Sequence, residues 1–156
     1  MKKRTYLFLA LLLPALVFVF LKYFGSNRFD IPIYYTDSVS VAGPCAVVKA
    51  PYVLPDSVWS LFPGHKAANV AALAGLDDEV RKEISEEIGT AVDIVSLDGM
   101  DSARLARWRN CVFLAGPTRP SVLFDGKGRI RGYYDLKSRE ESDRLRVELK
   151  ILLEQY

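Results

Sequence analysis

Metal-binding and redox side chains are scarce in this chain. His65 is the sole histidine, and Cys45 and Cys111 are the only cysteines in 156 residues. None of the three stands at the close spacing that a zinc or copper motif uses, so no metal-site motif is present. A phosphate-cradling glycine loop, a Ser-His-Asp arrangement and an internal repeat are also absent, which removes their chemistries and repeat architectures. Nor is there an excess of positive charge where a nucleic acid would meet it. The formal net charge is +2, but Lys2, Lys3, Arg4 and Lys22 lie in the first 24 residues. Without those four of 21 basic residues, and with all 19 acidic ones kept, the balance is −2. No nucleic-acid footprint follows from that.

What the chain has is a long apolar run at its N-terminus. Thr5 to Leu21 carries no charge, and Lys22, Tyr23 and Phe24 close it. A helix from Thr5 to Phe24 matches the ~20 residues that a bilayer needs, with Lys22 able to snorkel and the aromatic pair suited to the interface. Pro14 would kink it. A cleaved signal peptide is the rival reading, but Lys22-Tyr23-Phe24-Gly25-Ser26-Asn27 lacks a small-x-small cleavage pattern. Residues 1–24 are therefore read as an uncleaved transmembrane anchor. The basic start places the N-terminus in the cytoplasm and the rest in a periplasm-like space, a single-pass inner-membrane topology.

Residues 25–45 read as an extended linker, with Ile31, Ile33 and Tyr35 laid against the domain or the membrane surface, and residues 46–156 as one domain. Prolines at 32, 44, 51 and 55 argue against a long helix or central strand early on. An edge strand is expected near Ala46 to Leu54, and a second over Ser57 to Phe62. An alanine-rich helix is expected over Lys66 to Ala74, interrupted by Gly75. Asp77 is placed to cap a helix carrying Val80, Ile84 and Ile88, with Gly89 as its C-cap. Ala91 to Leu97 alternates as a strand, Asp98-Gly99 turns, and a short helix runs from Asp101 or Ser102 through Arg109.

The strongest local pattern lies between Thr118 and Tyr134. Ser121–Phe124 and Arg129–Tyr134 are two β-type runs flanking Asp125-Gly126-Lys127-Gly128, whose glycines suit a tight hairpin. Pro120 stands at the first residue of a strand, where its missing N–H costs no ladder bond. Ser138 and Glu141 have capping-box spacing ahead of a helix with Leu145, Leu149, Leu152 and Leu153 on one face. Strand, helix, strand, helix, hairpin, helix is the order of a thioredoxin-like α/β domain, a mixed sheet with helices on both faces and a C-terminal hairpin and helix.

Beside its anchor, Phe29-Asp30-Ile31-Pro32-Ile33-Tyr34-Tyr35 and above all Val122-Leu123-Phe124-Asp125-Gly126-Lys127-Gly128-Arg129-Ile130-Arg131-Gly132-Tyr133-Tyr134-Asp135 resemble the Sco/SenC family, in the form typical of the Bacteroidetes group. The resemblance covers about the first thirty-five and last forty residues. It implies a membrane-anchored, thioredoxin-like protein that delivers copper to cytochrome c oxidase, or manages its thiols, during assembly. The family's Cys-x-x-x-Cys pair and histidine bind Cu(I) through soft thiolates and an imidazole. Here Phe62-Pro63-Gly64-His65 and Gly116-Pro117-Thr118-Arg119 stand where those groups are expected. The resemblance then implies a non-catalytic role in oxidase assembly or maintenance, by protein binding. Its partners are the membrane and a respiratory complex or its assembly factors.

Alternative readings are a structural accessory subunit of a membrane complex, or a thiol- or copper-handling protein using Cys45 and Cys111. Those cysteines can form a disulfide in an oxidising compartment, lie apart as buried thiols, or join His65 around copper. No cofactor is expected otherwise, and no catalytic residue is assigned. His65 is either a ligand or proton-transfer group or a surface residue in a Pro-Gly turn. A cis bond is expected at Arg119-Pro120, as beside the active site of thioredoxin-like folds, marking an inherited binding groove. Arg104, Arg107, Arg109, Arg119, Arg129 and Arg131 belong to a basic second half. Residues 101–156 hold twelve basic and eight acidic side chains, against five and eleven in 25–100. That asymmetry is either two solvated faces or a surface for an acidic partner. Trp59 and Trp108 read as core or edge aromatics, and Asp77-Asp78 and Glu86-Glu87 as capping and solvated-face residues.

Overall fold

The computed structural model describes residues 2–24, 30–39, 45 and 48–154. α1 (Lys2–Phe24) is a 23-residue helix containing Pro14. Its side chains are described at Ala10 and from Leu12 to Tyr23, and all of them are exposed. Counting described residues alone, no helix is long and apolar enough to cross a membrane.

Four strands, β1 (Ala68–Ala72), β2 (Val92–Ser96), β3 (Ser121–Asp125) and β4 (Ile130–Tyr134), form one mixed sheet in the order β2-β1-β3-β4. β1 runs parallel to β2, with Ala68 opposite Val92, and antiparallel to β3, with Ala72 opposite Ser121. The parallel pair requires a crossover, supplied by α2 (Asp78–Ile88). Asp77 caps α2 by accepting from the Glu79 N–H at 3.0 Å, and Gly89 (φ 70°) ends it. α3 (Ser102–Arg107), capped by Asp101, leads from β2 toward β3 and widens into a π-type turn over Trp108–Val112. β3 and β4 form the expected hairpin, with a bulge at Leu123/Phe124. Gly128 takes φ 75° in its turn, a conformation glycine adopts without steric cost. α4 (Arg139–Glu154) returns along the sheet.

The core has two layers. α2 and α4 place Ile84, Leu145, Leu149 and Leu152 with Ala68, Val70, Leu123 and Tyr134 on one face. The other face gathers Val58, Phe62, Phe113, Val122, Phe124 and Tyr133. Helices α2 and α4 on one side and α3 on the other complete an α/β architecture, consistent with a thioredoxin-like fold.

Several sequence expectations are corrected. Lys66 to Ala74 is not a helix: its middle is β1, all five residues buried and hydrogen-bonded on both edges. Alanine favours helix locally, but at the centre of the sheet its small side chain lets both layers approach closely. Ser57 to Phe62 is not a strand. It is a 3-10 turn and its continuation, with Val58, Trp59, Leu61 and Phe62 N–H groups each donating to the carbonyl three residues back. Val58 and Phe62 thereby point into the core from one side, fully buried.

Val48 to Leu54 forms no regular strand, while Ala46 and Val47 fall outside the described residues. Single bonds replace the ladder: Tyr34 N–H to Ile130 O (2.9 Å), Tyr52 N–H to Tyr35 O (3.0 Å) and Leu54 N–H to Gly128 O (2.8 Å). Ile31 is buried in the domain beneath α4. The Ser138–Glu141 capping box does not form, because Arg144 draws the Glu141 carboxylate away at 2.8 Å. Asp135 braces the turn instead, accepting from Lys137 N–H at 3.1 Å.

Candidate functional site

At the end of the sheet opposite the hairpin turn, β1 leaves through Leu73 to Asp77 and β3 enters through Arg119-Pro120. Leu73 N–H donates to Pro120 O at 2.7 Å, and Arg109 Nη2 donates to Leu73 O at 2.8 Å. The first of these bonds extends the β1–β3 pairing one residue further. The expected cis bond at Arg119-Pro120 is absent: the peptide is trans, and the cis bond of the described chain is Ala50–Pro51. An extended trans entry is what lets the Pro120 carbonyl face Leu73. The place ahead of the first helix after a strand is Leu73–Asp77, one element later than Phe62–His65, and it contains no cysteine.

Cys45 and Cys111 are joined by a disulfide, with Cα atoms 5.3 Å apart. Both thiols are thus consumed, and a cysteine–histidine copper site does not exist in this state. Among the described residues no group of three or more His, Cys, Asp or Glu side chains is arranged to hold a metal. His65 is exposed at φ 43° and stacks on Trp59, ring centroids 4.7 Å apart, so its partner is an aromatic face. Trp108 packs against Phe113.

Next to the disulfide, three consecutive carbonyls are taken by three tyrosines from distant parts of the chain. Tyr52 donates to Val112 O (2.6 Å), Tyr133 to Phe113 O (2.8 Å) and Tyr35 to Leu114 O (3.3 Å). The π-type turn leaves this segment without a regular ladder, and the hydroxyls satisfy it. Burial, reinforced by Tyr35, pushes the Tyr52 hydroxyl up to about 12. Tyr133 is raised further, again mainly by burial. The Tyr52 and Tyr133 hydroxyls stay protonated near neutral pH and act as donors, not as bases. The tyrosines are the site residues that sequence reading missed. Tyr34-Tyr35 and Tyr52 stood in a segment read as linker and edge strand, with no periodicity to relate them to Tyr133.

The basic residues divide. Arg109 is tied to the β1 exit. Arg129 and Arg131 reach Asp125 at 2.7 Å and 3.6 Å, and Arg131 reaches Asp30 at 3.4 Å. Arg104, Arg107 and Arg119 are exposed, and Arg119 lies over the Tyr133 ring at 4.6 Å. Arg119, Pro120 and Arg109 are thus brought together at the loop end of the sheet, with Arg104 and Arg107 on the adjoining α3. A groove of about 770 Å³ also opens between the starts of α2 and α4, lined among others by Asp77, Glu83, Arg139, Ser142 and Arg146. Within it Arg146 pairs with Glu83, and also with Glu87 and Asp143 beside it.

Among the described residues there is no free cysteine and no metal-holding cluster, and the exposed side chains at the loop end of the sheet include Arg104, Arg107 and Arg119, the last backed by the Tyr133 ring. No protein-family profile matches the chain, and neither a curated protein nor a solved structure matches it.

Proposed function

We propose that the chain is a membrane-anchored, periplasm-facing thioredoxin-like protein that acts by binding a protein partner, without catalysis, in assembly or maintenance of a respiratory cytochrome oxidase. The observation that carries the non-catalytic reading is the loop end of the sheet. Leu73–Asp77 has no cysteine, Arg119-Pro120 is trans, and the chain's two thiols form a disulfide elsewhere. What remains there is Arg119 on Tyr133 beside Arg104 and Arg107, groups suited to an acidic protein surface. The element order β1-α2-β2-α3-β3-β4-α4 supports the thioredoxin-like assignment, and the resemblance of Val122 to Asp135 to Sco/SenC proteins supports the respiratory one.

The anchor is α1. From Leu12 to Leu21 its side chains are apolar on every side yet exposed, with Leu13 and Leu16 at 59% and Phe18 at 70%. A helix hydrophobic all round requires an apolar surrounding. At 1.5 Å per residue, its 23 residues extend about 35 Å, a length comparable to a hydrocarbon core of roughly 30 Å. Lys2, Lys3 and Arg4 fix the cytoplasmic end, and a disulfide suits an oxidising space outside.

The test is co-purification from detergent-solubilised membranes. Full-length chain is expected to retain oxidase subunits or their assembly factors. The combined variant Arg104→Glu, Arg107→Glu, Arg119→Glu is expected to lose them while remaining folded by circular dichroism. Retention of every partner by that variant would show that the arginine surface is not the docking face.

A further inference from the structure

We infer that the hairpin-turn end of the sheet rests on the bilayer surface, with Lys127 and Val53 in the lipid headgroup region, and that the loop end carrying Arg119 and Pro120 points away. This rests on the reading of α1 as an anchor.

The tether is short. Five residues separate Phe24 from Asp30, and six extended steps reach at most about 20–22 Å. Its far end is fixed on the domain. Asp30 Oδ1 accepts from Arg131 Nη2 at 3.4 Å, and Ile31 is 3% exposed in the α2–α4 core. Arg131 lies at the start of β4, with Nη1 3.6 Å from Asp125 Oδ2 at the end of β3, so the attachment point is the turn end of the hairpin. A five-residue strand is about 17 Å long. Inverting the domain would spend nearly the whole tether on running that length, leaving almost nothing to separate the folded body from the bilayer.

The surface at this end fits lipid. Lys127 is exposed at the tip of the turn. A Cβ placed on Gly128 would lie 3.1 Å from Val53 Cγ1, so Val53 sits against the same tip. Outside α1, Val53 (48%) and Val147 are the large hydrophobic residues exposed among those described. Of the carboxylates at this end, Asp125 is engaged by Arg129 at 2.7 Å, Asp30 by Arg131 and Glu87 by Lys150, while Asp56 is exposed without an ion pair among the described residues. An exposed lysine beside an exposed apolar side chain is suited to the boundary between headgroups and acyl chains.

The experiment uses the full chain in vesicles of phosphatidylglycerol and phosphatidylethanolamine doped with a nickel-chelating lipid. Lys127→Cys or Thr118→Cys, each in a separate preparation with the native disulfide intact, carries a nitroxide. Headgroup-bound nickel is expected to accelerate relaxation of the label at 127 strongly and of that at 118 little, and Val53→Asp to reduce the effect at 127. Floated protein with equal or stronger relaxation at 118, or a signal at 127 that Val53→Asp leaves unchanged, would overturn the inference while leaving the anchor standing. A full chain that fails to float with the vesicles would overturn the anchor and this inference with it.

Discussion

On one face of the sheet, α2 and α4 bring Ile84, Leu145, Leu149 and Leu152 onto Ala68, Val70 and Leu123. On the other, Val58, Phe62, Phe113 and Phe124 are closed over largely by the segments around Tyr34, Tyr52 and Trp59, with α3 and its π-type turn. The first face is aliphatic and covered by two helices whose stripes alone predict their placement. The second is aromatic and irregular; tyrosine hydroxyls satisfy carbonyls of its covering segments, and a disulfide restrains them. Regular elements supply their own hydrogen bonds and need only an apolar stripe, whereas irregular cover has to import both bonds and restraint. The proposed binding surface adjoins the second face.

Removing the staple should give the largest effect and tests that contrast directly. Cys45→Ser with Cys111→Ser frees a loop of 66 residues, worth about 4 kcal/mol in the loop-entropy treatment. Urea unfolding should show a loss of that order. A loss below about 1 kcal/mol would mean that the tyrosines hold the second face unaided.

On the helical face, Leu149→Ala removes a fully buried side chain and should cost about 3 kcal/mol within a range of roughly 2–5. The hydrogen-exchange protection lost with it should be concentrated in α2 and α4. Protection lost equally on both faces would erase the distinction.

A smaller effect is expected from Tyr133→Phe, which keeps the ring but leaves Phe113 O without its 2.8 Å donor. The cost should be about 1–3 kcal/mol, larger than for Tyr35→Phe, whose bond to Leu114 O is 3.3 Å. Equal costs would show that water replaces either hydroxyl.

The last is a pH effect. The Tyr52 hydroxyl is raised from 10.0 to about 12 by burial and then by Tyr35. The folded state therefore binds this proton more tightly than the unfolded chain does. The corresponding stability is fully present below about pH 10 and is lost as pH rises toward 12. Denaturant midpoints measured across that window should fall, and Tyr52→Phe should flatten the slope. An unchanged slope would place the titration on other tyrosines.

Much of the helical face is legible in the amino-acid order. Asp77 and Gly89 mark the ends of α2, the i, i+4 and i, i+3 leucines mark α4, and Gly128 with Pro120 frames the hairpin. Each is a local signal, in which a residue's own side chain decides its backbone conformation. The alanines of β1 and the Val58–Phe62 turn misled because their local preferences are weak. A central strand is chosen by what pairs with its two edges, and only the assembled sheet supplies those edges.

The proposed binding surface divides in the same way. The apolar run of α1, the hairpin, the caps of α2 and the lack of a thiol or metal motif follow from the amino-acid order, because these depend on residue type and near-neighbour spacing. Only the folded chain could join Cys45 to Cys111 and draw Tyr35, Tyr52 and Tyr133 onto three successive carbonyls. Those features join positions up to 98 residues apart, as in the Tyr133–Tyr35 hydroxyl contact. No local pattern encodes such pairings; they form because each buried polar group must find a partner wherever the fold places one.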